Sequence, residues 1–238
     1  MKDPVDYHFC YTPESFDYAM SILSRASFLI LDCEGNNLGR ANGSISLICV
    51  GTPLAEHIFI IDCLSPSLTA NHLARLWTLF KDRRIIKVVW DGRMDYLEIW
   101  STYGVALEGV LDLQVAEVVS RFNLRGEGES HRLDRLTRGW FSRTALFNHS
   151  WQYTGLNALT GLQKCCEESG FGEEFAKDRK SCYDPVQLSF EQLILLVILI
   201  LLCHAYTHPL LLDSSETPKR PAAFPRVLRY ICGNSQTE

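Results

Sequence analysis

Two carboxylates lie two residues apart at the end of an apolar, β-prone run. Asp32 and Glu34 flank Cys33 in the segment LILDCEG. Because side chains alternate between the two faces of a strand, both carboxylates point to the same side. Paired oxygen ligands on a rigid strand suit Mg²⁺ or Mn²⁺, which prefer carboxylates, water and phosphate oxygens. The pair alone is also compatible with two solvated acids, so its meaning depends on the elements around it.

Strands and helices alternate along most of the chain. Apolar runs predict strands at 27–33, 44–51, 57–63, 85–90 and 110–113. Helical spacing predicts helices at 69–82, 92–103, 114–122, 155–168 and 189–206. Thr12, Pro13 and Glu14 supply an N-cap, a first-turn proline and a first-turn acid for a short helix before the first strand. Three consecutive strands favour an antiparallel meander, and the later alternation favours parallel strands, so the sequence predicts an α/β fold with a mixed sheet flanked by helices.

The predicted domain covers residues 1–212. Residues 123–150 interrupt the rhythm with glycines and arginines, and we expect an insertion or long loop there. A Pro/Ser-rich stretch begins at Asp213, so residues 213–238 are predicted to be a loose tail.

Three blocks in order resemble the DEDD superfamily of 3′-5′ exonucleases, in particular the group of ribonuclease D and the exonuclease domain of the Werner helicase. The first block is LDCEG ahead of the strand SISLI, and the second is KVVWDGRMDYLEIW, with Arg93 and Asp95 in the places of the family's RxD. The third is VLDLQVAE, which is similar to the family's D-x-Q element at Asp112 and Gln114. The resemblance covers roughly residues 12–206 and implies a ribonuclease H-like α/β fold.

The resemblance also implies a chemistry. Asp32, Glu34 and Asp95 would be catalytic metal ligands, or would hold metal-bound water, for Mg²⁺ or Mn²⁺ in a two-metal site that hydrolyses phosphodiesters from 3′ ends. Asp91, four residues before Asp95, is the competing position, and we favour Asp95. Asp112 is expected to be structural rather than a ligand.

The family's last block is altered. It places a fourth aspartate on a helix near the C-terminus, with a tyrosine four residues earlier, and alignment on LSFEQL puts Leu195 and Leu199 at these positions. With three carboxylates in place of four, binding of the second metal ion should weaken first. His208 and Asp213 have the five-residue spacing of the family's histidine variant, but Pro209 interrupts any helix between them. Three hypotheses stay open: a 3′-5′ exonuclease with impaired activity, an inactive nucleic-acid-binding or scaffold module on the same fold, or, least favoured, a protein-interaction domain with no nucleic-acid role.

Residues 193–203, LILLVILILLC, form an apolar run. Eleven residues at about 1.5 Å each span roughly half of the hydrocarbon core of a bilayer, so a buried helix is favoured over a membrane anchor. The net charge of −5 argues against a protein that coats nucleic acid through bulk positive charge. The nine cysteines include no CxxC pair, and the first residues contain no apolar segment typical of a secretory signal, which favours reduced thiols and a cytoplasmic or nuclear location.

Arginines interleaved with aromatic residues make 121–143 the best candidate for nucleic-acid contact. Guanidinium groups bind phosphates and aromatic rings stack on bases, so RNA or single-stranded DNA is the expected partner. A solvated loop explains the same composition as well. The candidate side chains are Arg132, Arg135, Arg138 and Arg143, with Trp140 and Phe141 between them.

Overall fold

The computed structural model describes residues 6–53, 56–123, 125–139 and 141–168. The predicted helix at 189–206, the positions of Leu195 and Leu199 and the tail at 213–238 lie outside the described residues. The strands of the described part are β1 (Asp6–Cys10), β2 (Phe28–Asn36), β3 (Ser44–Gly51), β4 (His57–Asp62), β5 (Ile86–Val89) and β6 (Val110–Asp112). Its α-helices are α1 (Pro13–Leu23), α2 (Ala70–Lys81), α3 (Arg93–Tyr103), α4 (Leu113–Asn123), α5 (Glu129–Thr137), α6 (Arg143–Asn148) and α7 (Leu162–Glu168).

The six strands form one mixed sheet in the order β1-β4-β3-β2-β5-β6. The pairs β2–β3 and β3–β4 are antiparallel, which confirms the predicted meander. The pairs β2–β5 and β5–β6 are parallel, as the strand–helix alternation predicts. The α/β prediction with a mixed sheet is therefore confirmed.

Strand β1 is not among the predicted strands. It pairs in parallel with β4 and forms an edge of the sheet. Its sequence, DYHFC, mixes polar and apolar side chains without a continuous apolar run, and only Cys10 is buried. Such a short edge strand gives no clear periodicity, so long-range pairing with β4 determines its conformation.

The main core lies on one face of the sheet. It joins α1 residues such as Phe16 and Leu23 to Leu31 of β2, Phe59 of β4 and Phe80 of α2. Helix α1 begins as predicted: Thr12 and Ser15 exchange backbone and side-chain hydrogen bonds in a capping box, and proline follows the cap. The core and these helices hold β2, the strand with the two carboxylates, as the fourth strand of the sheet.

Residues 123–150 are not one continuous loop. They contain α5 and α6, which pack Leu133 and Leu136 against Leu146 in a small separate core. Few apolar residues at short spacing and many arginines give these helices a weak hydrophobic pattern, which is why the sequence favours a loop. The helix predicted at 155–168 is also shorter than expected, because α7 begins only at Leu162 after a 3-10 turn at Ser150–Tyr153.

Candidate active site

The three predicted metal-binding carboxylates lie together at one end of β2. Asp32 and Glu34 share a face of the strand, while Cys33 between them is buried in the core on the other face. Asp95 lies in the first turn of α3, which follows β5, the parallel neighbour of β2. The negative charges of Asp32 and Glu34 both act on Asp95, so two separate segments of the chain form one acidic cluster.

Burial and the repulsion between neighbouring negative charges raise the pKa of two of these carboxyl groups. Burial, with the charge of Glu34 added, raises the pKa of Asp32 to about 6. Burial, with the charges of Asp32, Glu34 and Asp91 added, raises the pKa of Asp95 to about 7. These shifts indicate crowded negative charge that a bound cation would neutralise.

No lysine or arginine in the described part of the chain forms a salt bridge with Asp32, Glu34 or Asp95. Oxygen donors without a basic partner suit a hard divalent ion. The three side chains are thus all oxygen donors, but among the described residues their ligand atoms do not all lie within 4.8 Å of one another. Binding of Mg²⁺ or Mn²⁺ at this end of the sheet stays a prediction.

The pairing of β2 with β3 is irregular next to Glu34. The β2–β3 register shifts between Glu34 and Gly35, which is a β-bulge. A Cβ atom on Gly35 would lie 2.0 Å from the carbonyl oxygen of Ser44, so only glycine fits at this position. Pairing continues beyond the bulge, where Gly35 pairs with Ile45 and Asn36 with Ser44, and the extra residue of the bulge is Ser46 of β3.

Asp91, the competing position, makes contacts that tie the start of α3, and the choice of Asp95 over Asp91 as the metal ligand stays a prediction. Its backbone is in the left-handed region, with φ of 55°, and its carboxylate accepts a hydrogen bond from Arg93. Its backbone N–H donates to Asp112 Oδ1 at 3.1 Å, and the N–H of Gln114 donates to the same oxygen at 2.9 Å. Asp112 therefore ties the start of α3 to the start of α4, as expected for a structural residue, and this tie orients the turn of helix that contains Asp95.

Glu98 is a residue that sequence analysis did not single out. It is buried on α3, one turn after Asp95, and accepts hydrogen bonds from the N–H of Gly39 at 2.9 Å and from Thr102 Oγ1 at 2.7 Å. Gly39 belongs to the loop between β2 and β3, so Glu98 links the helix of Asp95 to the strand of Asp32 and Glu34. An acid flanked by apolar positions on a helix is the signal that could have found it, since buried carboxylates need hydrogen-bond partners.

The four candidate arginines for nucleic-acid binding differ in what their guanidinium groups contact. Arg132 is buried and donates to Glu129 and to the carbonyl oxygens of Tyr153 and Leu156. Arg135 pairs with two glutamates, Glu127 and Glu168.

Arg138 and Arg143 are the exposed members of the set, with side chains 61% and 76% accessible. Contact with nucleic acid stays a prediction, and these two have the accessibility it needs. Arg121, in the same basic stretch, is buried against Glu117 and donates to Ala158 O and to Thr160 Oγ1, so it stabilises the protein interior.

Of the two aromatic residues that sequence analysis named in this region, Phe141 is the one that the structure describes. Phe141 packs edge-on against Tyr153 within the small core, and Trp140 lies outside the described residues. Trp151 and Phe147, which sequence analysis did not consider, are large exposed rings, and the guanidinium of Arg143 lies over the Phe147 ring. They are the exposed aromatic groups nearest in sequence to the two accessible arginines.

A family model described as 3′-5′ exonuclease matches residues 7–162. This range covers more than half of the 238-residue chain, and the chain belongs to the 3′-5′ exonuclease family. Two predictions are confirmed: the chain is a DEDD 3′-5′ exonuclease domain, and its fold is the ribonuclease H-like α/β fold. No curated protein matches the chain.

Similar solved structures include ribonuclease D from Trypanosoma brucei in complex with RNA U12, at 22% identity and a TM-score of 0.48, over 94% of this chain and 68% of that chain. The Nibbler exonuclease domain of Aedes aegypti matches at 17% identity and a TM-score of 0.46, over 83% of this chain and 91% of that chain. Escherichia coli ribonuclease D matches at 17% identity and a TM-score of 0.42, over 70% of this chain and 40% of that chain.

Proposed function

We propose that this chain binds the 3′ end of RNA or single-stranded DNA and hydrolyses its terminal phosphodiester. The observation that supports this most is the convergence of Asp32, Glu34 and Asp95 from β2 and α3 on a fold of the 3′-5′ exonuclease family. Carboxylates without basic partners, at the end of a strand and the start of a helix, suit the binding of divalent ions and phosphate oxygens.

The chain's own residues would position the reacting groups. Asp32, Glu34 and Asp95 would hold Mg²⁺ or Mn²⁺ through their carboxylate oxygens. A bound divalent ion of this kind supplies an activated water and neutralises charge on the phosphate and the leaving 3′ oxygen. Glu98 and Asp112 would keep the segments of the three ligands in register.

We further propose that turnover is impaired. The family's fourth aspartate and its water-positioning tyrosine correspond to Leu199 and Leu195, and a leucine can neither bind a cation nor orient water. General acid–base or water-positioning groups contribute typically 10²–10⁴-fold to a rate, so a slow enzyme is expected.

A nucleic-acid contact surface is proposed around α6. Arg138 and Arg143 have accessible guanidinium groups for phosphates, and Phe147 and Trp151 have exposed rings for base stacking. Neither kind of contact depends on the base sequence of the nucleic acid, which suits an enzyme or module that accepts any 3′ end.

The second candidate function is a binding or scaffold module without turnover. The two leucines in the last block favour it, because they remove both polar groups of that block. The two functions predict the same binding surface and differ only in whether the bound strand is shortened.

The test uses 5′-labelled single-stranded RNA and DNA with the full chain and Mn²⁺. Stepwise loss of single nucleotides from the 3′ end, absent in Asp32→Asn, supports the exonuclease. The matched control is Asp17→Asn, an exposed carboxylate on α1. Unchanged oligonucleotide length at high protein concentration, with binding retained, supports the module instead.

A further inference from the structure

A second cluster of metal-ligand side chains lies at the β1 edge of the sheet. Asp6 and His8 are two residues apart on β1, and Asp6 pairs directly with His57 on β4. Residues two apart on a strand and residues directly paired across strands point to the same face. The parallel register of β1 and β4 therefore places one carboxylate and two imidazoles together.

The three donor atoms are spaced as ligands of a single ion. His8 Nε2 lies 3.2 Å from His57 Nδ1 and 3.0 Å from Asp6 Oδ2, and His57 Nδ1 lies 3.7 Å from Asp6 Oδ2. A circle through three points at these separations has a radius of about 1.9 Å. In tetrahedral zinc sites, with bonds of about 2.0–2.1 Å, ligand atoms lie about 3.3 Å from one another on a circle of about that radius.

Hydrogen bonding within the cluster depends on which ring nitrogens bear protons. His8 Nε2 faces both His57 Nδ1 and Asp6 Oδ2, and one ring nitrogen bears at most one proton. When His8 Nε2 bears the proton and His57 Nδ1 does not, His57 Nδ1 and Asp6 Oδ2 are two acceptors that compete for it. A cation at the centre of the triangle would accept a lone pair from all three atoms.

The two imidazoles are held by their surroundings. The His8 ring stacks on the buried Phe59 ring at 4.9 Å and meets the edge of Tyr18 at 5.2 Å. The backbone of His57 is clamped by Thr52, whose Oγ1 accepts from the His57 N–H at 3.1 Å. Ligands fixed in this way lose little conformational entropy when they bind an ion.

This cluster is distinct from the carboxylates of the active site. Phe59 pairs with Val50 and Val50 with Leu31, so His57 lies on the face of Leu31, whereas Asp32 points to the opposite face. Strands β4 and β3 also separate β1 from β2, which amounts to roughly 14 Å at about 4.8 Å per strand.

We propose that Asp6, His8 and His57 bind one Zn²⁺ ion that ties β1 to β4. Two imidazoles and one carboxylate favour zinc over Mg²⁺ or Mn²⁺, which prefer all-oxygen sites. The three side chains are 59%, 22% and 30% accessible, so solvent reaches the cluster and water can fill a fourth position. The ion would stabilise an edge strand that has a sheet partner on one side only.

The test uses Co²⁺ as a spectroscopic probe on the metal-free full chain. Four-coordinate Co²⁺ absorbs visible light far more strongly than the six-coordinate ion, and Zn²⁺ should bleach that absorption by displacing it. We expect one strongly absorbing Co²⁺ per chain, with affinity reduced at least about 100-fold in His8→Gln and in His57→Gln. His131→Gln, an exposed histidine on α5, and Asp32→Asn should leave the signal unchanged.

Absence of the strong absorption from the wild type would overturn the proposal, and so would its persistence in His8→Gln or its loss in Asp32→Asn. Thiolate charge-transfer bands would also overturn it, because they indicate cysteine ligands.

A second measurement does not depend on light absorption: Zn²⁺ at 100 times its dissociation constant should raise the melting temperature of the wild type by on the order of 5 °C. No rise in folded Asp6→Asn is expected, and an equal rise there would contradict the assignment. Nuclease activity enters neither readout, so failure of the zinc site and failure of the proposed nuclease are distinguishable.

Discussion

The backbone N–H of Gly39 donates a 2.9 Å hydrogen bond to the buried carboxylate of Glu98. This bond crosses from the loop after β2 to the second turn of α3. A Cβ atom on Gly43, in the same loop, would lie 2.1 Å from Glu98 Oε2, so the loop backbone and this carboxylate are in close contact. Asp32 and Glu34 precede the loop and Asp95 precedes Glu98, and this contact therefore sets the spacing between the two halves of the acidic cluster.

Glu98→Ala should destabilise the fold and weaken Mn²⁺ binding together. The substitution leaves the Gly39 N–H and the Thr102 hydroxyl without their acceptor, which costs about 2–3 kcal/mol in the free energy of unfolding. Glu98→Gln, which retains one acceptor oxygen, should cost less. Urea unfolding and Mn²⁺ titration measure the two effects. Glu108→Gln, in a surface ion pair with Arg83, is the control and should change stability by less than about 1 kcal/mol. Equal behaviour of the Glu98 and Glu108 variants would contradict the role of this tether.

Asp95→Asn should stabilise the metal-free protein at pH 8. The folded pKa of Asp95 is about 7, whereas an unfolded aspartate titrates near 4, so between these pH values the folded state binds more protons. Stability in chelator should therefore fall as pH rises from about 4 to about 7. Removing the ionisable group should raise the free energy of unfolding at pH 8 by up to about 4 kcal/mol, at about 1.4 kcal/mol per pKa unit, and leave it little changed at pH 4.

Urea unfolding in chelator at the two pH values measures this effect. Asp17→Asn, on the exposed face of α1, should show no such pH-dependent gain. A destabilised Asp95→Asn at pH 8 would mean that Asp95 has a favourable partner in the folded state, against the crowding inferred for the acidic cluster.

The buried pair of Arg121 and Glu117 should be a main support of the segment that leads into α7. Arg121 also donates to Ala158 O and Thr160 Oγ1, which holds that segment against α4. Arg121→Leu should cost about 3–5 kcal/mol, because it leaves a buried carboxylate with Arg125 as its remaining partner. Arg121→Leu with Glu117→Leu should recover part of the loss, and a double-mutant cycle by urea unfolding measures the coupling. Additive losses would show that the two side chains act independently.

The exposed arginines should determine the salt dependence of nucleic-acid binding. Arg138→Ala with Arg143→Ala should weaken binding of single-stranded RNA and reduce the slope of log affinity against log salt by about 1.4, since each phosphate contact on a single strand contributes about 0.7. Fluorescence anisotropy over a salt series measures both quantities. Arg75→Ala with Arg83→Ala, two exposed arginines elsewhere, is the matched control. The surface proposal fails when the two double variants give the same slope.

The sequence was sufficient for the parts of the fold that depend on local pattern. Continuous apolar runs located β2, β3 and β4, and their short connections implied the meander. The cap at Thr12 located α1, because a side-chain acceptor followed by proline is a local signal. The grouping of Asp32, Glu34 and Asp95 was also expected, since it follows from family motifs that span the whole domain.

Other features depended on contacts between distant residues and were missed. Strand β1 forms only through pairing with β4, and α5 with α6 stabilise each other through Leu133, Leu136 and Leu146. Composition alone could not separate Arg132, which is buried, from Arg143, which is exposed, because the glutamate and carbonyl partners of Arg132 come from other turns and segments. The helix at 189–206 and the positions Leu195 and Leu199 stay predictions.

The length and hydropathy of a helix decide whether it could span a membrane. None of the helices within the described residues is long and apolar enough to span a membrane. The run at 193–203 lies outside those residues, so its assignment as a buried helix depends on its length and on the family alignment.

The most direct test of the account is the double variant Leu195→Tyr with Leu199→Asp. With Mn²⁺ and a 5′-labelled single-stranded oligonucleotide, this variant should remove 3′ nucleotides at least about 100-fold faster than the wild type, because it restores the fourth carboxylate and the water-positioning phenol. Adding Asp95→Asn should abolish the gain, since the restored residues need the acidic cluster of β2 and α3. A folded double variant with no gain, or a gain that survives Asp95→Asn, would contradict the assignment of Asp32, Glu34 and Asp95 as the metal-binding centre of a 3′-5′ exonuclease.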